Sequence, residues 1–111
     1  MPSICEVGLA IRRKALDFWR EFYPEAFEFT KTAGTQYGTD SGCVFIWRMF
    51  PDWETELVLH EAIEALKTTD YELLVVSVDN CDDYFIDGEY RYFNLRVKTS
   101  IDYDGSDWWR N

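Results

Sequence analysis

Tyr71-Glu72-Leu73-Leu74-Val75-Val76-Ser77-Val78 is almost unbroken in its apolarity and rich in β-branched side chains. Strands of that composition are covered on both faces, because an exposed edge would leave half of those side chains in water. The stretch therefore predicts a central strand of a sheet. Upstream of it, Pro51-Asp52 restarts the chain as a helix: Asp52 supplies a cap, Glu54 and Glu56 fall in the first turn where the dipole favours anions, and Lys67 falls in the last. Leu59, Ala62, Ile63 and Leu66 recur at helical spacing and form the stripe expected to be buried.

Further upstream, Cys43 to Phe50 is a second apolar run, interrupted only by Arg48, and reads as another buried strand. Gly34, Gly38 and Gly42 stand among small polar residues and signal a loop, with Ala26 to Thr32 expected as the antiparallel strand on its other side. Ser3-Ile4-Cys5-Glu6 has capping-box spacing, and Ile4, Gly8, Ile11, Ala15, Phe18 and Phe22 recur on one stripe, so a helix is expected from Ser3 to the stop at Pro24. Gly8 costs about 1 kcal/mol in a helix interior, which leaves the first turn and a half open to an extended conformation instead.

Downstream of the opening strand, Asn80 to Glu89 is an acidic connection with a turn at Asp87-Gly88. From Phe93 the alternation is clean: Phe93, Leu95, Val97, Ile101 and Tyr103 face one way and the polar residues between them the other, as in a strand with one wet face. The order α-β-β-α-β-β predicts one α+β domain over residues 1–111, with two helices packed on one face of a mostly antiparallel sheet of four to five strands.

At 111 residues with 47% apolar and 18% aromatic side chains, the chain is long enough to bury one core. The residues after Met1 lack a basic stretch leading into an apolar run, and no apolar block approaches membrane-spanning length, so a cytoplasmic protein is expected. Cys5, Cys43 and Cys81 are odd in number and widely spaced, which fits reduced thiols.

The formal net charge of −10 exceeds the magnitude of about 2–8 that keeps a small domain soluble. Residues 1–48 balance six basic against six acidic side chains, whereas residues 49–111 set five basic against fifteen acidic and carry the whole excess. Such asymmetry points toward a cationic partner and away from nucleic acid or anionic membranes as direct ligands.

Familiar chemistry fails on spacing. Asp79, Asp82, Asp83, Asp87 and Glu89 suggest a calcium loop, but an EF-hand register from Asp79 puts Cys81 at position 3 and Tyr90 at position 12, and a register from Asp83 puts Phe85 and Asn94 there. Asp40-Ser41-Gly42 matches the aspartic-protease triplet for three residues only and sits in a glycine-rich loop rather than after an apolar strand. The same loop lacks the lysine of a phosphate cradle, and Ser41 is one residue out of register for a nucleophile elbow. His60 is the sole histidine and lies among glutamates; Arg12-Arg13-Lys14 fans around a helix rather than forming a stripe. No catalytic residue, metal or cofactor is therefore assigned.

What remains is an acidic protein-binding surface. Asp79, Asp82, Asp83, Asp87, Glu89, Asp102 and Asp104 are its expected carboxylates, supported by Glu54, Glu56, Glu61 and Glu64 of the second helix and by Asp107, and Tyr84, Phe85, Tyr90, Tyr92, Trp108 and Trp109 its expected anchors, since rings supply contact area while charges supply rate and orientation. The expected partner is a basic protein surface, such as that of a nucleic-acid-binding protein or nuclease. In general character such a chain resembles the small acidic inhibitors that phages and mobile elements direct against host nucleases, anti-CRISPR proteins and DNA mimics among them; the resemblance is one of type. An immunity or antitoxin-type regulatory domain is the alternative, and a small enzyme the third.

Overall fold

A computed structural model describes residues 4–51, 53–79, 83–97 and 100–104. Strand β1 (Ile4–Arg12) runs straight into helix α1 (Arg13–Phe22), followed by α2 (Pro24–Thr30), the hairpin β2 (Thr35–Gly38) and β3 (Gly42–Pro51), and α3 (Leu57–Glu64). Then come β4 (Tyr71–Ser77), β5 (Tyr84–Gly88) and the two-residue strands β6 (Arg96–Val97) and β7 (Ile101–Asp102). The main sheet has the order β2-β3-β1-β4-β5 with every neighbouring pair antiparallel, and β6 pairs with β7 separately.

The α+β class and the antiparallel five-stranded sheet match the expectation; the element order and helix count do not. Three helices replace two, and a strand replaces the first half of the expected N-terminal helix. Ile4–Arg12 is extended throughout because it is apolar on both faces: Val7, Leu9 and Ile11 point to the helices, while Ala10 points to the opposite side. Gly8 fits this reading too, since a Cβ there would lie 3.0 Å from the Ile101 side chain. The helix proper starts at Arg13, so Ala15, Leu16 and Trp19 turn inward and the expected stripe residues Phe18 and Phe22 are exposed. Trp19, fully buried, donates its indole N–H to the Ala62 carbonyl at 2.9 Å and so ties α1 to α3.

Ala26 to Thr32, expected as a strand, is helix and turn. Pro24 occupies the first turn of α2, where its fixed φ suits a helix and its missing N–H costs nothing, and Ala26 and Thr30, one turn apart, are the buried pair. The glycine-bearing loop folds part of itself into β2 against β3. Cys43 to Phe50 is a strand and Leu59, Ala62 and Ile63 are the inward stripe of α3, as read from the sequence, but the helix is shorter than expected: Glu54 lies in a 3-10 turn ahead of it, Glu56 stands at its N-cap, and Leu66 and Lys67 follow its end, so neither the acids of the expected first turn nor Lys67 lies within it.

Both faces of the sheet are covered. Helices α1, α2 and α3 pack on one side over Leu9, Ile11, Phe45, Trp47, Leu73 and Val75. On the other, Tyr90, Phe93, Leu95 and Ile101 pack over Ala10, Val44, Ile46, Leu74 and Val76. This outer layer explains the continuous apolarity of β4, which has no wet face. It also accounts for the alternation seen from Phe93: the inward residues are those expected, but Asn94, at φ 48°, and the β6–β7 reversal break the single strand.

The layers meet most tightly at Gly42, where a Cβ would fall 2.5 Å from the Tyr90 hydroxyl and 2.6 Å from the Ile11 carbonyl oxygen. Gly42→Ala is expected to cost about 1–3 kcal/mol in urea denaturation, as overpacking does. At Gly34 the nearest atom to a Cβ is 3.8 Å away, and Gly34→Ala should stay within about 0.5 kcal/mol.

Candidate functional site

β5 closes the sheet beyond β4, and its register sets Tyr84 opposite Val76, Phe85 opposite Val75, Ile86 opposite Leu74 and Asp87 opposite Leu73. Directly opposed residues share a face. Leu73 and Val75 face the helices, so Asp83, Phe85 and Asp87 line the helix side of β5, while Tyr84 and Ile86 line the outer-layer side.

Two side chains feel the charge of carboxylates from both β5 and the flanks of α3. The Cys5 thiol is pushed up by burial and then by the charges of Asp83 and Glu54. At the opposite end, the Tyr71 hydroxyl donates to Asp87 Oδ2 at 2.7 Å. Its phenol is pushed up by burial, by that hydrogen bond, and by the charges of Asp87 and Glu64. Glu54 precedes α3 and Glu64 ends it, and α3 packs on the side of the sheet that β5 lines with Asp83, Phe85 and Asp87; these carboxylates are the acidic band of that side, with Phe85, 47% exposed, between Asp83 and Asp87. A groove of about 260 Å³ between α3 and the α1–α2 corner adds Glu25, Glu61 and exposed Phe22 on the same side of the sheet.

The other side is electrically different, because its acids are consumed. Glu6 pairs with Arg48 and accepts the Ile101 N–H. Glu72, 1% exposed, pairs with Arg91 and accepts the Leu95 N–H at 2.8 Å. Arg96 binds Asp104 at 2.7 Å and Asp102 at 3.3 Å, and the hydrogen bond from Arg96 holds the Asp104 carboxyl below the usual carboxylate range. Arginine thus neutralises the outer layer, whereas among the described residues Glu54, Glu64, Asp83 and Asp87 have no cationic partner.

The residues expected at a partner surface separate accordingly. Asp79 is exposed just past β4, Asp83 and Asp87 join the band, and Glu89 is exposed and accepts the Thr68 hydroxyl at 2.9 Å. Tyr84 is exposed on the outer-layer side of β5. Tyr90 is instead buried, its ring packed against Phe93 and under the Arg12 guanidinium, because the outer layer needs it as core. Asp102 and Asp104 belong to the arginine-paired layer across the sheet. Asp82, Asp107, Trp108 and Trp109 lie outside the described residues. Phe85, expected among the anchors, is half exposed between Asp83 and Asp87, and Glu54 and Glu64, expected among the supporting acids, stand at the two ends of α3; the period-2 spacing of Asp83, Phe85 and Asp87 sets those three on one face.

The candidate base and thiol of the sequence, His60 and Cys43, are taken up in packing. His60 stacks on Trp53 with ring centroids 4.5 Å apart and sets Nε2 2.7 Å from the Trp53 carbonyl oxygen. The buried Cys43 thiol is pushed up by burial, with Arg13 opposing. A shallow recess of about 300 Å³ beside it holds Arg13 and Lys31, but these bind the Thr39 carbonyl and Glu28. Among the described residues, no three His, Cys, Asp or Glu side chains converge as metal ligands would. No described helix is long and apolar enough to cross a membrane. Comparison of the chain with protein-family models, curated proteins and solved structures finds no match.

Proposed function

We propose that this chain is a non-enzymatic binding protein whose acidic band occupies a basic protein surface, of the kind that otherwise holds nucleic-acid phosphates. The observation that supports the reading is the β5 register, which sets Asp83, Phe85 and Asp87 on the side of the sheet where Glu54 and Glu64 stand at the two ends of α3, with none of these four carboxylates ion-paired among the described residues. Exposed Phe85 in the middle supplies an apolar anchor, and the carboxylates around it supply steering and orientation. The arginine pairing of the opposite face directs a cationic partner to this side alone. A function as inhibitor of a nuclease or another nucleic-acid-binding protein follows from that chemistry.

The test is binding to a panel of basic nucleic-acid-binding proteins by size exclusion and surface plasmon resonance at 50 and 300 mM salt. Tight complexes are expected at low salt, with association slowing about tenfold or more in the quadruple variant Glu54→Lys, Glu64→Lys, Asp83→Lys, Asp87→Lys. The charge-conserving exchange Arg96→Asp with Asp104→Arg should leave association within about twofold, since it keeps the net charge of the arginine-paired layer unchanged. Absence of any complex at low salt across the panel overturns the reading.

A further inference from the structure

We propose that the outer edge of β5 receives an extended lysine- or arginine-bearing segment of the partner as a sixth strand; the idea rests on the acidic band proposed above and specifies how it is engaged. The Ser77 N–H donates to the Asp83 carbonyl at 2.9 Å, so the backbone groups of 83, 85 and 87 point to β4 and those of 84, 86 and 88 point away from it. At Gly88 the outward groups are occupied: its N–H donates to Asp87 Oδ1 at 2.9 Å, and its carbonyl accepts from Arg91 at 2.9 Å. Among the described residues, the N–H and C=O of Tyr84 and Ile86 are left open, flanked by side chains of Tyr84, Phe85 and Ile86 that are each about half exposed. An edge of that kind is a template for strand addition.

Charge selects the occupant. In the antiparallel register that uses all four open groups, a second copy would place Asp83 opposite Asp87 and Asp87 opposite Asp83, like charges directly across a ladder. A foreign strand with basic, apolar and basic side chains at alternate positions would instead meet Asp87, Phe85 and Asp83 in turn on the helix side, the side on which Glu54 and Glu64 flank α3. The opposite edge, β2, is four residues of Thr-Gln-Tyr-Gly with no carboxylate and offers no such match.

The probe is a blocked seven-residue peptide with Lys, Val and Lys at its third, fifth and seventh positions, separated by Thr, compared with two peptides of identical charge: one N-methylated at the amides that would face β5, and one with its lysines adjacent. The alternating peptide should bind the intact chain at least tenfold more tightly than either control, and amide exchange at Tyr84 and Ile86 should slow in its presence. Ile86→Pro removes one outward N–H at an edge position where proline is tolerated, and should lose the same tenfold while circular dichroism and melting stay unchanged. Equal binding of all three peptides, abolished by Asp83→Lys with Asp87→Lys, overturns strand addition and leaves the acidic band standing. Failure of every peptide to bind also overturns strand addition, and the band is then judged by the basic-protein panel. A dimer by light scattering that Ile86→Pro dissolves would show a second copy on the edge and overturn the proposal.

Discussion

Trp19→Ala should cost about 3–5 kcal/mol, the range for truncating a large buried aromatic side chain. The indole is fully buried between the helices and the sheet, and its N–H donates to the Ala62 carbonyl at 2.9 Å. Truncation therefore opens a cavity in the helix-side core and unties α1 from α3 together. Domains of this size are stable by about 5–15 kcal/mol, so the variant is expected to be marginal at 37 °C. Urea denaturation followed by far-ultraviolet circular dichroism measures the loss. Trp19→Phe keeps most of the packing and removes the hydrogen bond; it should cost about 1–2 kcal/mol, which separates the polar contribution from the cavity.

The second large effect lies on the opposite face. Glu72→Leu should cost about 2–3 kcal/mol, because it strips the buried Leu95 N–H of its acceptor and leaves Arg91 without its partner. Removing one member of a fully buried pair costs about 3–5 kcal/mol, but the Arg91 side chain is 51% exposed and water solvates the orphaned charge. Glu72 also makes stability depend on pH. Burial pushes its carboxyl above the ordinary value of 4.5, against the opposing pull of the Leu95 N–H and Arg91. Between 4.5 and that raised value the native protein binds more protons than the unfolded chain, so this group's contribution is fully present below 4.5 and is lost as pH rises through the folded-state value. Glu72→Gln preserves an acceptor for Leu95 and is expected to flatten the fall in stability from pH 4.5 toward neutrality, read as melting temperature against pH. Asp104, held low by Arg96, acts in the opposite sense: its contribution is present at neutral pH and fades as acid passes the ordinary value of 3.8.

The sequence revealed most where one physical signal dominated. Tyr71 to Ser77 and Cys43 to Phe50 were legible because each is buried on two faces, and a run without alternation has few other uses at that length. Ile4–Arg12 misled because its small residues, Gly8 and Ala10, face the outer layer; without large side chains on that side, a period of two is hidden beneath a coincidental period of nearly four. Ala26 to Thr30 has the aromatic residues of a strand, and Pro24 at the head of α2 outweighs them. β5 was hidden by its acids, which read as a connection even though Tyr84, Phe85 and Ile86 have strand-forming side chains. As for the site, the count and half of the chain holding the excess charge were visible, but not which carboxylates arginine cancels. That depends on contacts between residues as far apart as Glu6 and Ile101 or Glu72 and Leu95, which only the packed layers create.

The placement of β1 between β3 and β4 has a consequence for how the molecule is made. Both of its neighbours follow it in the chain, so during synthesis the strand carrying Val7, Leu9 and Ile11 must wait, unpaired, until each has been translated. Pairings of that sequence separation are slow to form, and the nascent chain therefore carries an adhesive apolar segment until β3 and β4 have both emerged, the kind of segment that chaperones hold.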